Sequence, residues 1–146
     1  MKRYTLLYIA MMTVFGLASC DLETSDNDKL DGFWKLHAVD TLSTNGQRDM
    51  TNDGIFWSIQ MKLLNVRDTK CNNEGYLFRF KHTGDSLIVS NPYVKNREIG
   101  DSAITDVTQL HPFGIHEITE RFYIETLKSD QMTLQSRRLR LYFKKF

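Results

Sequence analysis

The sequence lacks the motifs that most enzymes carry. There is no nucleophile elbow, no His-Glu-x-x-His, no Gly-rich phosphate loop and no pair of closely spaced cysteines. The closest grouping of candidate ligands is His111, His116 and Glu117, but Pro112 interrupts it and the spacing is not that of a metal site. His37 and His82 stand alone. We therefore expect no catalytic activity, no metal and no cofactor.

An excess of charge of one sign is also missing. The 146 residues include 19 Lys and Arg and 18 Asp and Glu, for a formal net charge of +1. A nucleic-acid-binding protein would show a clear basic excess, so nucleic acid is not an expected partner.

No hydrophobic run is long enough to cross a bilayer as a helix, which takes about 20 residues. The longest, residues 4–16, follows Lys2 and Arg3 and has the form of a secretory signal. It ends in Leu17-Ala18-Ser19-Cys20, which resembles the bacterial lipobox. The resemblance implies that the chain is cleaved before Cys20 and that acyl chains are attached to this cysteine. The protein is then expected at the outer membrane, held by its N-terminal lipid. The sequence does not predict whether it faces the periplasm or the cell surface.

Three segments are predicted from this pattern: a signal peptide over 1–19, a lipidated cysteine with a flexible tether over 20–29, and one domain over 30–146. The tether is predicted because residues 21–28 carry four acidic residues and a single apolar one. An acidic run after the cysteine also resembles the surface-export signal of some Gram-negative lipoproteins. With Cys20 acylated, Cys71 has no partner for a disulfide, and we expect an unreactive loop cysteine there.

Apolar residues alternate with polar ones along most of the domain, which predicts about eight short antiparallel strands. The expected inward positions are Trp34, Leu36 and Ala38; Ile55, Trp57, Ile59, Met61 and Leu63; Tyr76, Phe78 and Phe80; Leu87 and Val89; Phe122 and Ile124; Met132 and Leu134; and Leu139, Leu141 and Phe143. A weaker strand is expected near residues 99–107. Closing such a sheet into an all-β barrel buries one face and removes both edges.

Two segments break the alternation. Residues 43–54 contain Asn45-Gly46 and Asp53-Gly54, which predict a long loop after the first strand. Residues 108–120 predict a loop with a short helical turn. Because Phe56 adds an apolar residue to the outer face of its strand, we expect residues 108–120 to cover it.

The domain opens with Gly32-Phe33-Trp34, and this Gly-x-Trp resembles the first motif of the lipocalins and the wider calycin group. The resemblance covers residues 30–146 and implies an eight-stranded up-and-down barrel, with Trp34 at its closed end. It implies that Arg138 or Arg140 stacks across Trp34 and that the loop over 43–54 folds over the open mouth. The chain is shorter than typical lipocalins and lacks their C-terminal helix and disulfide.

The resemblance implies one function, and the composition of the core leaves a second one open. In the first, a small hydrophobic or amphipathic ligand binds in the mouth of the barrel, against its aromatic inner face. The candidate ligand-binding residues are Trp34, Trp57, Met61, Phe78, Phe80 and Phe122. In the second, these side chains fill the core, since eight strands enclose just enough space for that. The protein then binds an envelope or host protein through its loops or through the basic face of Arg138, Arg140 and Lys144.

Overall fold

The computed structural model describes residues 25–71, 75–96 and 98–146. The predicted signal peptide, the lipobox-like sequence and Cys20 lie outside the described residues. Ten strands run in chain order: β1 (Gly32–Thr41), β2 (Gly46–Asp49), β3 (Ile55–Gln60), β4 (Leu63–Asp68), β5 (Tyr76–Thr83), β6 (Ser86–Val94), β7 (Ser102–Ala103), β8 (Glu120–Leu127), β9 (Gln131–Gln135) and β10 (Leu139–Lys145). Within the described residues, 3-10 helices span Asp28–Leu30 and Val107–Phe113. Among the described residues no helix has the length and apolar character needed to cross a bilayer.

The strands form a closed antiparallel barrel. Their order is β1-β3-β4-β5-β6-β8-β9-β10, and β10 returns to pair with β1 from Trp34 opposite Lys145 to Thr41 opposite Leu139. The short strands β2 and β7 add to β1 and β6 outside this ring. The prediction of an all-β, eight-stranded up-and-down barrel is confirmed.

The inward side chains follow the predicted alternation, with two exceptions. A β-bulge between Leu36 and Ala38 shifts the register of β1, so Val39 packs against the core where Ala38 was expected. Strand β3 ends at Gln60, and Met61 begins the turn to β4 with a positive φ of 54°. Met61 and Leu63 are therefore exposed, and the prediction that they face the interior is wrong.

The loop expected over residues 43–54 is partly a strand. Asn45 takes a positive φ, which lets the chain turn back so that β2 pairs with the second half of β1 from Ala38 to Thr41. The weak strand expected over 99–107 shrinks to the two residues of β7. The helical turn expected over 108–120 is confirmed as the 3-10 helix.

One end of the barrel, which we call the closed end, is formed by residues 27–34, by the β3–β4 turn and by Phe146. Asn27 is buried and its amide donates to the carbonyl of Met61 at 2.6 Å and to the carboxylate of Asp31 at 2.7 Å. Residues 25–29, which the sequence placed in the tether, are thus part of the structured closed end. The 3-10 helix brings Leu30 over the bottom of the core, where it is fully buried.

Residues 107–116, which we call the plug, fill the opposite end. Leu110, Phe113 and Ile115 point into the barrel and join its hydrophobic core. The prediction that this segment covers the outside of β3 is wrong. Phe56 is covered on the outside by Phe33, whose ring stacks at 4.8 Å, and by Phe146 at 5.8 Å.

Candidate functional site

Trp34 is buried at the closed end of the barrel, and the cation above it is Lys145. The indole nitrogen of Trp34 donates to the carbonyl of Leu30 at 2.8 Å, and the ring is fully buried. The Lys145 ammonium lies 4.8 Å from the ring centroid and donates to the carbonyl of Lys29 at 3.2 Å. Because Lys145 is the residue directly opposite Trp34 across the β1–β10 pair, it is the one that reaches the ring.

The two arginines expected over Trp34 lie elsewhere, so that expectation is wrong. Arg138 is exposed in the turn before β10, at the opposite end of the barrel. Arg140 points outward and holds Glu125 through two hydrogen bonds of 2.7 and 2.9 Å, and it also donates to Gln135. The predicted basic face is therefore interrupted, because Arg138 is off the strand and Arg140 is paired.

Most of the candidate ligand-binding residues are core residues. Trp34, Trp57, Phe78 and Phe122 are fully buried, and Phe80 is half-buried against them. The Trp57 ring lies between Phe122 at 5.6 Å and Phe143 at 5.0 Å. The described side chains thus pack the middle of the barrel at the level of Trp57. Whether any of the six contacts a ligand remains a prediction.

The plug is fixed to the barrel from several sides. The indole nitrogen of Trp57 donates to the carbonyl of Phe113 at 3.1 Å, and the Tyr76 ring meets the Phe113 ring edge-on at 5.6 Å. Gly114 ends the 3-10 helix with a φ of +82°. A Cβ there would lie 2.8 Å from the Leu141 side chain, so glycine meets both the backbone and the packing requirement.

Glu120, the first residue of β8, holds the end of the plug. Its side chain is buried, and its carboxylate accepts the backbone N–H of His116 at 2.5 Å and of Glu117 at 3.3 Å. Burial raises the pKa of Glu120, and the two N–H donors oppose that rise. The sequence shows only an ordinary glutamate at a strand start, so its hydrogen bonds to His116 and Glu117 could not be predicted.

A cleft of about 500 Å³ lies between the plug and the adjoining wall of strands; we call it the mouth cleft. Its apolar lining is made of Val39 on β1, Met50 between β2 and β3, Ile55 on β3 and Leu139 on β10. Its charged and polar lining consists of Arg48, Asp53, Asp68, Lys70, His111 and His116. Volumes of 300–1,000 Å³ are typical of small-molecule sites. The cleft can therefore take a small molecule with one apolar and one polar side.

The polar side of the mouth cleft has a defined arrangement. Arg48 and Asp53 form an exposed ion pair at 2.8 Å. The rings of His111 and His116 stack with centroids 4.3 Å apart. Desolvation lowers the pKa of His116, and the charges of His111 and Arg138 lower it further. The lowered pKa favours the uncharged form of the His116 imidazole, which lies at the end of the plug and lines the cleft.

The two histidines singled out in the sequence are brought together, but no metal cluster accompanies them. Within residues 25–71, 75–96 and 98–146, no three His, Cys, Asp or Glu side chains gather as metal ligands. Cys71 is exposed, and its thiol lies 3.3 Å from the carboxylate of Asp68, which raises the pKa of Cys71.

A second groove, of about 480 Å³, runs along the outer face of β1, β2, β9 and β10. Its lining includes the polar side chains of His37, Asp49 and Tyr142. The hydroxyl of Tyr142 donates to Asp40 at 2.7 Å, which raises the pKa of Tyr142. None of the six candidate ligand-binding residues lines this groove or the mouth cleft.

Comparisons with known proteins agree with this architecture. No protein of curated function matches the sequence. Two solved structures do match the fold. A crystal structure of a lipocalin-like protein from Bacteroides uniformis is 16% identical, with a TM-score of 0.61, over 81% of this chain and 99% of that one. A crystal structure of an uncharacterized protein from Bacteroides eggerthii is also 16% identical, with a TM-score of 0.60, over 80% and 98%. At this identity the likeness shows the fold alone.

The sequence itself matches the family model of the lipocalin-like domain over residues 13–146. That range includes the Gly-x-Trp entry, every barrel strand and the plug. The chain therefore belongs to the lipocalin-like domain family.

Proposed function

We propose that this protein is a lipid-anchored envelope protein that binds a small amphipathic molecule in the mouth cleft. One observation carries the proposal: a cleft of about 500 Å³ with an apolar side and a charged side, placed where the barrel opens. Burying the apolar part of a ligand against Met50, Ile55 and Leu139 contributes about 25 cal/mol for each Å² removed from water. The polar groups opposite then orient the ligand.

The mouth cleft is favoured over the barrel interior because of the packing beneath it. A ligand that entered the interior would have to displace Phe113 and break its hydrogen bond with Trp57. It would also have to separate Trp57 from the rings of Phe122 and Phe143. A ligand in the mouth cleft meets none of these costs, since the plug forms one wall of the cleft as it stands.

The polar wall indicates the kind of group the ligand carries. Arg48 and Lys70 supply donors, Asp53 and Asp68 supply acceptors, and an uncharged His116 imidazole, which its lowered pKa favours, has one donor and one acceptor nitrogen. Both signs of charge are present, so a hydroxyl, amide or zwitterionic group fits this wall better than a bare anion does. We expect a monoacyl or similar small amphipath, bound with its polar part toward β2 and the plug.

Anchoring rests on Cys20 in its lipobox-like context. One acyl chain binds a membrane only marginally, whereas two or more hold a protein there. Acylation of Cys20 would then retain the barrel at the outer membrane, with the membrane as its first partner.

Native mass spectrometry of the protein purified from its own envelope tests both parts. We expect acyl mass on Cys20 and a further mass that leaves on denaturation. Acylated protein without any further mass, and without uptake of a fluorescent fatty acid, would contradict ligand binding while leaving the anchor in place.

The second candidate function is a non-catalytic protein-interaction or inhibitor module, and the packed interior favours it. A barrel filled around Trp57 needs no ligand for stability, and its loops can be used for recognition. Capture of a specific envelope or host protein, with no bound small molecule, would support this alternative over the first.

A further inference from the structure

The closed end carries a group of exposed apolar side chains that the core does not use. Phe33 is 39% exposed and Phe146 is 86% exposed, and both pack against Phe56 on the outer face of β1 and β3. Met61 and Leu63 are 44% and 36% exposed at the β3–β4 turn. We call these five residues the apolar rim.

The apolar rim lies on the outer faces of three neighbouring strands, with the polar residues Ser58 and Asn65 between its phenylalanines and the β3–β4 turn. Phe33 lies opposite Ser58, and Ser58 lies opposite Asn65, so the outer faces of β1, β3 and β4 adjoin. Neighbouring strands are about 4.8 Å apart, which places β4 roughly 10 Å from β1. Phe146 is held at the closed end because its N–H donates to the carbonyl of Phe33 at 2.8 Å.

The chain enters the barrel at this same end. Asn27 is fixed to the β3–β4 turn through its hydrogen bond to the carbonyl of Met61. Only five residue steps separate Ser25 from Cys20. A fully extended chain spans at most about 3.5 Å per residue, so Cys20 lies within roughly 18 Å of Ser25.

We propose that the closed end docks on the lipid bilayer, with the apolar rim inserted among the lipid headgroups and the mouth cleft facing away from the membrane. The proposal rests on the acylation of Cys20 proposed above. With that anchor in the membrane, the short connection keeps the rim close to the bilayer surface. Phe and Leu side chains on peripheral proteins insert at the boundary between headgroups and acyl chains, and Phe33 and Phe146 supply such rings.

Apolar insertion carries this contact, because the charges at the closed end nearly balance. Lys29 and Lys62 are exposed there, but Asp28 and Asp31 lie beside them. The orientation should therefore be the same on zwitterionic and anionic vesicles and should persist in high salt.

Two single-cysteine proteins test the orientation. One is the acylated full protein with its native Cys71, which labels the end of the barrel opposite the closed end. The other carries Cys71→Ser and Met61→Cys, which labels the apolar rim. Each receives the same environment-sensitive fluorophore and is reconstituted into phosphatidylcholine vesicles, with and without phosphatidylcholine brominated near the headgroup.

We expect blue-shifted emission and quenching by the brominated lipid at position 61, and neither at Cys71. Phe146→Ser should reduce the quenching at position 61, since this side chain is the most exposed of the rim. Ile99→Ser is the matched control, because Ile99 is 80% exposed far from the rim, and it should leave the quenching unchanged.

If the protein is acylated but the label at position 61 shows the same emission and quenching as the label at Cys71, the proposed docking is wrong. The lipid anchor is not affected by that result. Quenching that is stronger at Cys71 would overturn the docking as well, by showing the reverse orientation. Mass spectrometry that finds no acyl chains on Cys20 would overturn the anchor and this orientation together.

Discussion

The ammonium of Lys145 lies 4.8 Å from the centroid of the Trp34 ring and seals the closed end of the barrel. It reaches that position by passing over Gly32, where a Cβ would collide with the Lys145 Cε. The glycine, the tryptophan and the lysine thus form one unit built from the first and last barrel strands.

Replacement of Lys145 by Ala should lower the free energy of unfolding by about 1–2 kcal/mol, because it removes the cation over the ring and the bond to Lys29. Lys144→Ala is the matched control, since Lys144 is exposed on the next position of β10. Urea unfolding of both variants checks the difference. Equal losses would contradict the role assigned to Lys145.

Gly32→Ala should destabilise the protein more than Gly84→Ala. Both glycines have positive φ, but a Cβ at Gly84 meets nothing within 4 Å, so only backbone strain of about 1 kcal/mol is expected there. At Gly32 the clash with Lys145 adds to the strain. Thermal unfolding of Gly32→Ala in the Lys145→Ala background should show a smaller loss than the sum of the two single changes.

Glu120 gives stability a pH dependence of known sign. Because burial raises the pKa of Glu120 in the folded state, the folded protein binds this proton more tightly than the unfolded chain does. The contribution from Glu120 is therefore fully present below the unfolded pKa and is lost as pH rises through the folded one. Glu120→Gln should flatten that decline, whereas Glu98→Gln, an exposed control, should not. Unfolding measured from pH 4 to pH 8 tests this.

Glu120→Ala should behave differently from Glu120→Gln. Glutamine retains an oxygen that can accept from the N–H of His116, while alanine leaves the N–H groups of His116 and Glu117 without the Glu120 acceptor. Loss of a buried partner costs about 1–3 kcal/mol. Equal stability of the two variants at neutral pH would show that these hydrogen bonds do not stabilise the folded protein.

Trp57→Phe should loosen the plug. The substitution keeps a ring in the core but removes the donor to the carbonyl of Phe113. We expect faster amide hydrogen exchange over residues 107–116, with the strands much less affected. Trp34→Phe is the control, because Trp34 is equally buried but bonds to Leu30 at the other end. Equal exchange in the two variants would contradict the proposed fixation.

The barrel could be predicted from the sequence because its strands alternate strictly. Leu139, Leu141 and Phe143 face inward and Arg140 faces outward, as period two requires. The errors came where one backbone feature interrupts the period. The bulge after Leu36 exchanged Ala38 with Val39, and the turn at Met61 moved two apolar residues to the surface.

The site was harder to predict because it depends on contacts between distant segments. Phe33 and Phe146 cover Phe56, although residues 108–120 were expected to do so. The mouth cleft joins Arg48, Ile55 and His111, and no local pattern connects these positions. The register between β1 and β10 decides which basic residue lies over Trp34. The alternation of inward and outward positions along β10 does not give that register.

The central claim, a ligand in the mouth cleft, is tested most directly by methyl NMR. The measurement titrates the protein with the compound released from it on denaturation. We predict shifts of Met50, Ile55 and Leu139, with Ile59 and Leu64 deep in the core unchanged. Shifts of Ile59 and Leu64 together with those of the plug would instead place the ligand inside the barrel and contradict the account.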